Sequence, residues 1–519
     1  MEKLILLFSM SIFRSLFILV FVHLQICYNA QQINFPNDKF EFSSTEQSNG
    51  SYTFNFKIDQ LGLSKTLANN QFFTELSING FFEHQEIGLP AFPQLNQLIE
   101  VPQHGKINIS INNLSYQIID LNQLSLPVVI PHQRSISKSE DASQVEFNLN
   151  AKFYAKNKFE GFELVSLKKK GVLRKHHMSL LEICPFEYNP VTNQLKVYYD
   201  IQFDIQFVKG DLNQDRLSYS TYNQPEFTPI FNRFINQQKR PSLTKDLITT
   251  YPTTYVVVSD RSFEQVLQPF IDWKKKKGFH VIEAYTDDPA VGNTTSSIKS
   301  YLQNLYNNPV SMNPPSYLLL VGDVNEIPSF SGTQGSHVSD LYYAEYDGNG
   351  DFYPDIYYGR FSSSSVAQIQ SMVNKTIDYE MYNFVDPSFL GNAVMISGVD
   401  AAMAPTYGNG QINYANQYYT NSTNGITPST YLYPTSGSSA SQIINDINNG
   451  CSLANYTAHG YSQGWADPGF TCTDVQSMTN YGKPALMIGN CCQSNKFDDP
   501  ECFGEALLRV DNKGAIGYI

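Results

Sequence analysis

The chain has 519 residues, which is long for one ordinary domain and enough for about two or three, each able to bury a proper core. Acidic residues number 48 against 35 basic ones, for a net charge of -13, and the basic residues form no long stripe, which argues against nucleic acid as a partner. Beyond the leader no segment is apolar over the roughly 20 residues that a membrane helix needs, so no stable membrane span is expected once the leader is removed.

Residues 1–30 read MEKLILLFSMSIFRSLFILVFVHLQICYNA: an early lysine, an apolar stretch interrupted by Arg14, then small and polar residues. This is the pattern of a secretory signal peptide with cleavage after Ala30; an uncleaved signal anchor is the other reading. Export places the product outside the cell or in the secretory lumen. It also gives meaning to the sequons at Asn49, Asn108, Asn113, Asn293, Asn374, Asn421 and Asn455. Asn455 falls inside an expected buried strand and is expected to stay bare. Loss of Cys27 with the leader leaves Cys184, Cys451, Cys472, Cys491, Cys492 and Cys502. All but the first lie beyond Gly450, which is not the even spacing of a small disulfide scaffold, so at least one is expected to have a chemical role.

Residues 31–240 are β-rich. SYTFNFKI, KINISINNLSYQIIDL and QLKVYYDIQFDIQFV alternate apolar and polar positions between Asn, Gly and Pro turns, which predicts antiparallel strands packed as a sandwich. His176 and His177, beside Arg174 and Lys175, read as a surface cluster rather than a metal site. The pattern breaks after Pro225, and residues 241–250 read as a linker. The dibasic pair Lys239-Arg240, or Lys245, offers a place for proteolytic separation, and a plain interdomain connection is the alternative.

Residues 251–519 change character. TTYVVVSD, FHVIEAY, SYLLLVGD, NAVMISG, CSLANYTAHG and PALMIGN are strand-like, and they alternate with helical stretches such as SFEQVLQPFIDWKKKKG, VAQIQSMVNKTIDYEMY and ECFGEALLRV. The expected fold is α/β: an open, doubly wound, mostly parallel sheet after a β-rich module. Lys274 to Lys277 read as a solvated helix end favoured by the helix dipole. No phosphate-binding glycine fingerprint opens any of the helices, so nucleotide-binding readings lose ground. The stretch SDLYYAEYDGNGDFYPDIYYGRFS holds Asp340, Glu345, Asp347, Asn349, Asp351 and Asp355. Its DGNGD core resembles the start of a calcium loop but lacks the closing glutamate. A structural calcium on Asp347, Asn349 and Asp351 and a merely acidic turn both stand as readings.

Two apolar runs each end in a small-residue turn with a reactive side chain, His459-Gly460 in one and Cys491-Cys492 in the other. Chemistry in parallel sheets gathers at the carboxyl ends of strands, so the two turns are expected to meet. A thiol becomes a strong nucleophile when a neighbouring imidazole takes its proton. The backbone N–H groups of Gly460 and Cys492 are the expected oxyanion donors, and Asp355 is the expected carboxylate orienting the ring. No cofactor is needed for this chemistry.

YVVVSDRSFEQVLQPFIDWKKKKGFHV, YLLLVGDVNEIP, NYTAHGYSQGWAD and CQSNKFDDPECFGEAL resemble the gingipain family of cysteine endopeptidases over roughly the whole C-terminal half. GLPAFPQLNQLIEVPQHGKINISI is similar to the propeptide that precedes that catalytic domain. The resemblance implies a caspase-like fold, a His–Cys pair, and a zymogen whose propeptide acts as an intramolecular inhibitor. It maps the histidine onto His459 and the carboxylate onto Asp355. The family's phenylalanine five residues after the nucleophile matches Phe497 and favours Cys492, whereas counting back from Cys502 leaves Cys491 open. Asn495 stands where the family carries a glycine, which implies a different oxyanion turn. The resemblance also implies further strands after GAIGYI, so the peptidase domain is expected to be truncated. The expected function is a secreted cysteine-type endopeptidase acting on proteins or peptides. The alternative is a secreted, catalytically inactive binding or adhesion protein on the same fold.

Overall fold

The structure is a computed structural model, and it describes residues 30–47, 50–136, 144–237, 251–333, 337–348 and 350–519. The leader up to residue 29, Asn49, the processing candidates Lys239-Arg240 and Lys245, and Asn349 lie outside the described residues. The chain divides into two units: Met1–Lys170, His176–Leu217 and Ile230–Gln238 form the first, and Gly171–Lys175, Ser218–Pro229 and Lys239–Ile519 the second. Two short stretches that precede the expected boundary thus belong to the second unit.

The first unit is built of antiparallel strands, as period-two alternation dictates. In Tyr52–Lys57 every second residue points inward, and the strand pairs with Gln194–Val208 so that Phe54 faces Phe203, the rings stacked 5.0 Å apart. Lys106–Asp120 runs along the same long strand. Strands Pro93–Val101 and His176–Ile183 pair antiparallel in another sheet. Ile99, Leu181, Phe54, Phe203, Leu61 and Leu76 meet in one core. Burying each such side chain contributes about 1.5–3 kcal/mol. His176 is not on the surface. It is 2% exposed, its Nδ1 2.5 Å from Glu100 Oε1, and Glu100 Oε2 accepts from Arg216 Nε at 2.7 Å. The strand alternation points it inward, and it lies against the Glu100 carboxylate and the ring of Phe231.

The second unit holds two parallel sheets rather than one. In the first sheet the strands are β1 (Thr254–Ser259), β2 (His280–Tyr285), β3 (Tyr317–Val321) and β4 (Tyr357–Phe361), in the order β2-β1-β3-β4. Helices α1 (Glu264–Lys276) and α3 (Val366–Glu380) cover one face with Leu267, Ile271, Met372 and Val373 against Val257 and Leu319. Helix α2 (Thr295–Asn307) covers the other with Ile298 and Leu302 against Val256, Val258 and Leu320. Alternate residues of each strand serve opposite faces, which is why the strands read as continuous apolar runs. The end of α1 is less solvated than expected: Lys274 is 6% exposed, and its Nζ lies 2.5 Å from Glu380, which Lys277 and Trp273 also reach.

The second sheet has β5 (Asn392–Ser397), β6 (Thr427–Tyr431), β7 (Leu453–Thr457), β8 (Ala485–Asn490) and β9 (Ala515–Tyr518), all parallel, in the order β6-β5-β7-β8-β9. Helix α4 (Asn409–Tyr418) sets Ile412 on Ala393 and Met395. On the opposite face α5 (Ala440–Asn449) and α6 (Phe503–Arg509) bring Ile443, Ile447, Phe503 and Leu507 against Ala454, Tyr456 and Met487. The closing residues GAIGYI supply β9, which pairs with β8. Asn455 lies inside β7 at 7% exposure, as its place in an apolar run implied. Helix α3 ties the two sheets together: Ser371 donates to the Val510 carbonyl at 3.0 Å, while its neighbours pack under the first sheet.

Candidate active site

Three consecutive strands of the second sheet end at one place. Thr457 of β7 pairs with Asn490 of β8, and Ser397 of β5 pairs with Thr457. His459 and Cys492 each follow a paired position at the same remove, on strands that lie about 4.8 Å apart. Asn490 Nδ2 donates to Thr457 Oγ1 at 2.9 Å and fastens the two ends together. Beyond them Gly460 comes close to the cysteine turn: a Cβ there would lie 2.6 Å from Cys491 Sγ. Only glycine fits that gap.

The carboxylate that faces the imidazole is that of Asp400, which follows β5 in the sequence Gly398-Val399-Asp400. Its Oδ2 lies 3.4 Å from His459 Nε2. Its Oδ1 accepts from the backbone N–H groups of Ala402 and Met403 at 3.1 and 3.0 Å. One oxygen is fixed by the turn that the residue itself begins, and the other faces the ring. His459 is 39% exposed and Asp400 12%, so the ring is open to solvent while its carboxylate partner is mostly covered.

Asp355 does not reach His459. It stands ahead of β4 in the other sheet, fully buried, with Oδ1 accepting from Arg174 N and Oδ2 from Tyr346 N and Asp347 N, each at 2.7 Å. Burial, and then the neighbouring Asp347 charge, push its carboxyl up to about 7, against the pull of these N–H donors. Asp355 precedes a strand of the first sheet, whereas His459 and Cys492 follow strands of the second. Sequence reasoning missed Asp400 because nothing local marks it; its closeness to His459 follows from β5 lying next to β7 with β6 outside.

The two adjacent cysteines face different surroundings. Cys492 is exposed, whereas Cys491 is half-buried against the core, its Sγ 3.2 Å from Ser494 Oγ. Gln493 takes a left-handed conformation with φ 56°, which turns the chain sharply after Cys492. Among the remaining thiols, burial pushes Cys451 up to about 12 and Cys472 up to about 11, and it raises Cys184 and Cys502 as well. Their thiolates are suppressed, and Cys492 is the thiol that geometry offers to a substrate.

The acidic loop is engaged by basic and amide groups of the same unit. Asp347 Oδ1 lies 2.5 Å from Lys175 Nζ, while its Oδ2 accepts from Lys175 N at 2.7 Å and Tyr306 Oη at 2.6 Å. Asp351 accepts from the N–H groups of Val172 and Tyr353 at 2.7 and 3.1 Å. Arg174 is fully buried beside them: Nη1 donates to the carbonyls of Pro315 and Asp355 at 2.9 and 2.7 Å, Nε to that of Tyr222 at 2.9 Å, and Nη2 to Gln224 Oε1. Its guanidinium lies 4.1 Å over the Phe227 ring. Among the described residues no group of three or more His, Cys, Asp or Glu side chains is arranged to hold a metal. The Asp347, Asp351 and Asp355 carboxylates receive an arginine–lysine turn, residues 172–175.

The family model described as peptidase family C25 matches residues 248–519, and that of the C25 propeptide matches residues 33–218. Lys-gingipain HG66 of Porphyromonas gingivalis is 36% identical over 483 residues, covering 92% of this chain and 27% of the relative. Gingipain R2 of the same organism is 26% identical over 494 residues, covering 92% of this chain and 63% of that protein. A solved complex of the pro- and mature domains of Porphyromonas gingivalis RgpB aligns with a TM-score of 0.45 at 26% identity, over 51% of this chain and 63% of that one. The chain therefore spans little more than a quarter of the length of the Lys-gingipain it matches, 27%.

Proposed function

The chain belongs to peptidase family C25, and from that membership we propose that its second unit is a cysteine-type endopeptidase made as a zymogen. Cys492 is the nucleophile, His459 the general base and then acid, and Asp400 the carboxylate that orients the ring. The observation that carries this reading is the convergence of the three on adjacent strand ends of one parallel sheet. With Nε2 held toward Asp400, Nδ1 is the nitrogen left to take the thiol proton. The sulfur then attacks the peptide carbonyl carbon, and the N–H groups of Gly460 and Cys492 serve the oxyanion. Collapse expels the amine, which receives its proton from His459, and leaves a thioester. Water, deprotonated by His459, attacks the thioester to release the acid and restore the thiol.

The match to the propeptide model over residues 33–218 supports a role for the first unit as intramolecular inhibitor. The leader pattern of residues 1–30 supports secretion. Substrates are proteins or peptides. An inactive binding protein on the same fold has no need of a carboxylate, an imidazole and an exposed thiol in one place, which favours the enzyme.

The test is hydrolysis of a peptide library by the processed full chain. Cys492→Ala and His459→Ala are expected to lower turnover by about 10³-fold or more. Cys491→Ala keeps most of it, and a thiol-reactive peptidyl probe labels Cys492. Full activity of Cys492→Ala with the fold intact would sink the assignment.

A further inference from the structure

Behind the His459 and Cys492 turns lies a buried aromatic group centred on Trp465, whose side chain is fully enclosed. Tyr456 stacks on it with ring centroids 4.7 Å apart and planes 9° from parallel, and its hydroxyl donates to the His459 carbonyl at 2.6 Å. On the other side Trp465 Nε1–H donates to Tyr518 Oη at 3.1 Å, and Tyr518 Oη–H donates to Ser494 Oγ at 2.7 Å. Ser494 Oγ is in turn 3.2 Å from Cys491 Sγ, which rests against Gly460. The Tyr518 hydroxyl reaches this position because Gly489 of β8 has no side chain; a Cβ there would lie 2.0 Å from it.

A buried hydroxyl is costly unless it is bonded, and phenylalanine would fill the same volume without that cost. Both tyrosines instead direct their hydroxyls at the two turns that carry the reacting groups. We propose that Tyr456 and Tyr518, joined through Trp465, are positioning residues that fix the spacing between the His459 imidazole and the Cys492 thiol. Tyr456 holds the histidine turn by its carbonyl. Tyr518 holds the cysteine turn through Ser494. This inference rests on the peptidase reading of the site.

Tyr456→Phe and Tyr518→Phe keep the rings and remove only the hydroxyls, and Ser494→Ala removes the next link. In the full chain, each is expected to melt within a few degrees of wild type. kcat against a library-selected fluorogenic peptide is expected to fall by about tenfold or more with KM little changed, because a small misplacement of reacting groups costs rate rather than binding. Hydrogen exchange by mass spectrometry gives a readout that needs no activity. Tyr518→Phe is expected to speed exchange not only at residues 490–494 but also at 458–461, across the shared tryptophan, and Tyr456→Phe to do the same in reverse. Variants with wild-type kcat, or with faster exchange only in their own turn, overturn the inference. Wild-type protein that hydrolyses nothing overturns the peptidase reading instead, and the exchange pattern then decides the positioning role by itself.

Discussion

At Asp400 the two carboxylate oxygens have different partners, and that division gives the site its direction. The oxygen fixed by Ala402 and Met403 keeps the side chain in place, and the other is left for the imidazole. Asp400→Asn preserves the size and the turn but offers the ring no charge, and turnover is expected to fall by about 10²-fold with the melting temperature little changed. Asp355→Asn acts on stability. Its folded carboxyl, raised from 3.8 to about 7, holds a proton that the unfolded chain releases near 4, so its contribution is largest below that pH and is lost as pH rises toward 7. Between pH 4 and 8 the wild type is expected to lose more stability than Asp355→Asn, as thermal melts at a series of pH values will register. The two aspartates show what a single sequence conveys. His459 and Cys492 were legible because each ends an apolar run in a small-residue turn. Asp355 misled because an acid near a strand looks alike at either end, and Asp400 stayed hidden because its partner is chosen by strand order.

Among the elements, the alternation of strands and helices was legible throughout residues 251–519, since buried parallel strands and amphipathic helices write different periods. The division into two sheets was not. Hydrophobic pattern tells which residues face a layer, but not which strand lies beside which, and α3 reads as one more crossover. The structure shows what it does instead. Lys375, 5% exposed in α3, donates from Nζ toward the carbonyls of Leu508 at 2.7 Å and Lys513 at 3.0 Å, with those of Leu507 and Ala515 at 3.3 Å. Those of Leu507 and Leu508 belong to the last turn of α6, where a helix lacks internal donors, while Lys513 follows α6 and Ala515 opens β9. Lys375→Met keeps the aliphatic stem and leaves the carbonyls without a donor. A loss of about 1–3 kcal/mol in denaturant unfolding is expected.

For the molecule as a whole, the second unit is assembled from three stretches of sequence, and Arg174 is the residue on which two of them converge. Its guanidinium binds Tyr222 and Gln224 from one stretch and Pro315 and Asp355 from another. Arg174→Ala is expected to cost this unit about 3–5 kcal/mol, and Arg174→Lys to recover only part, because an ammonium lacks the planar fork. Tryptophan fluorescence reports this without interference: the chain has two tryptophans, Trp273 and Trp465, and both lie in the second unit. Equal midpoints for wild type and Arg174→Ala would remove the arginine from the account.

The arginine–lysine turn also bears on how such a protein can be made. Synthesised without it, the C-terminal half would enter folding with the Asp347, Asp351 and Asp355 side chains crowded into a low-dielectric nest and no resident countercharge. Residues 171–175 thus belong to the unit whose carboxylates they bond, although they stand 172 to 181 positions earlier in the chain than their partners.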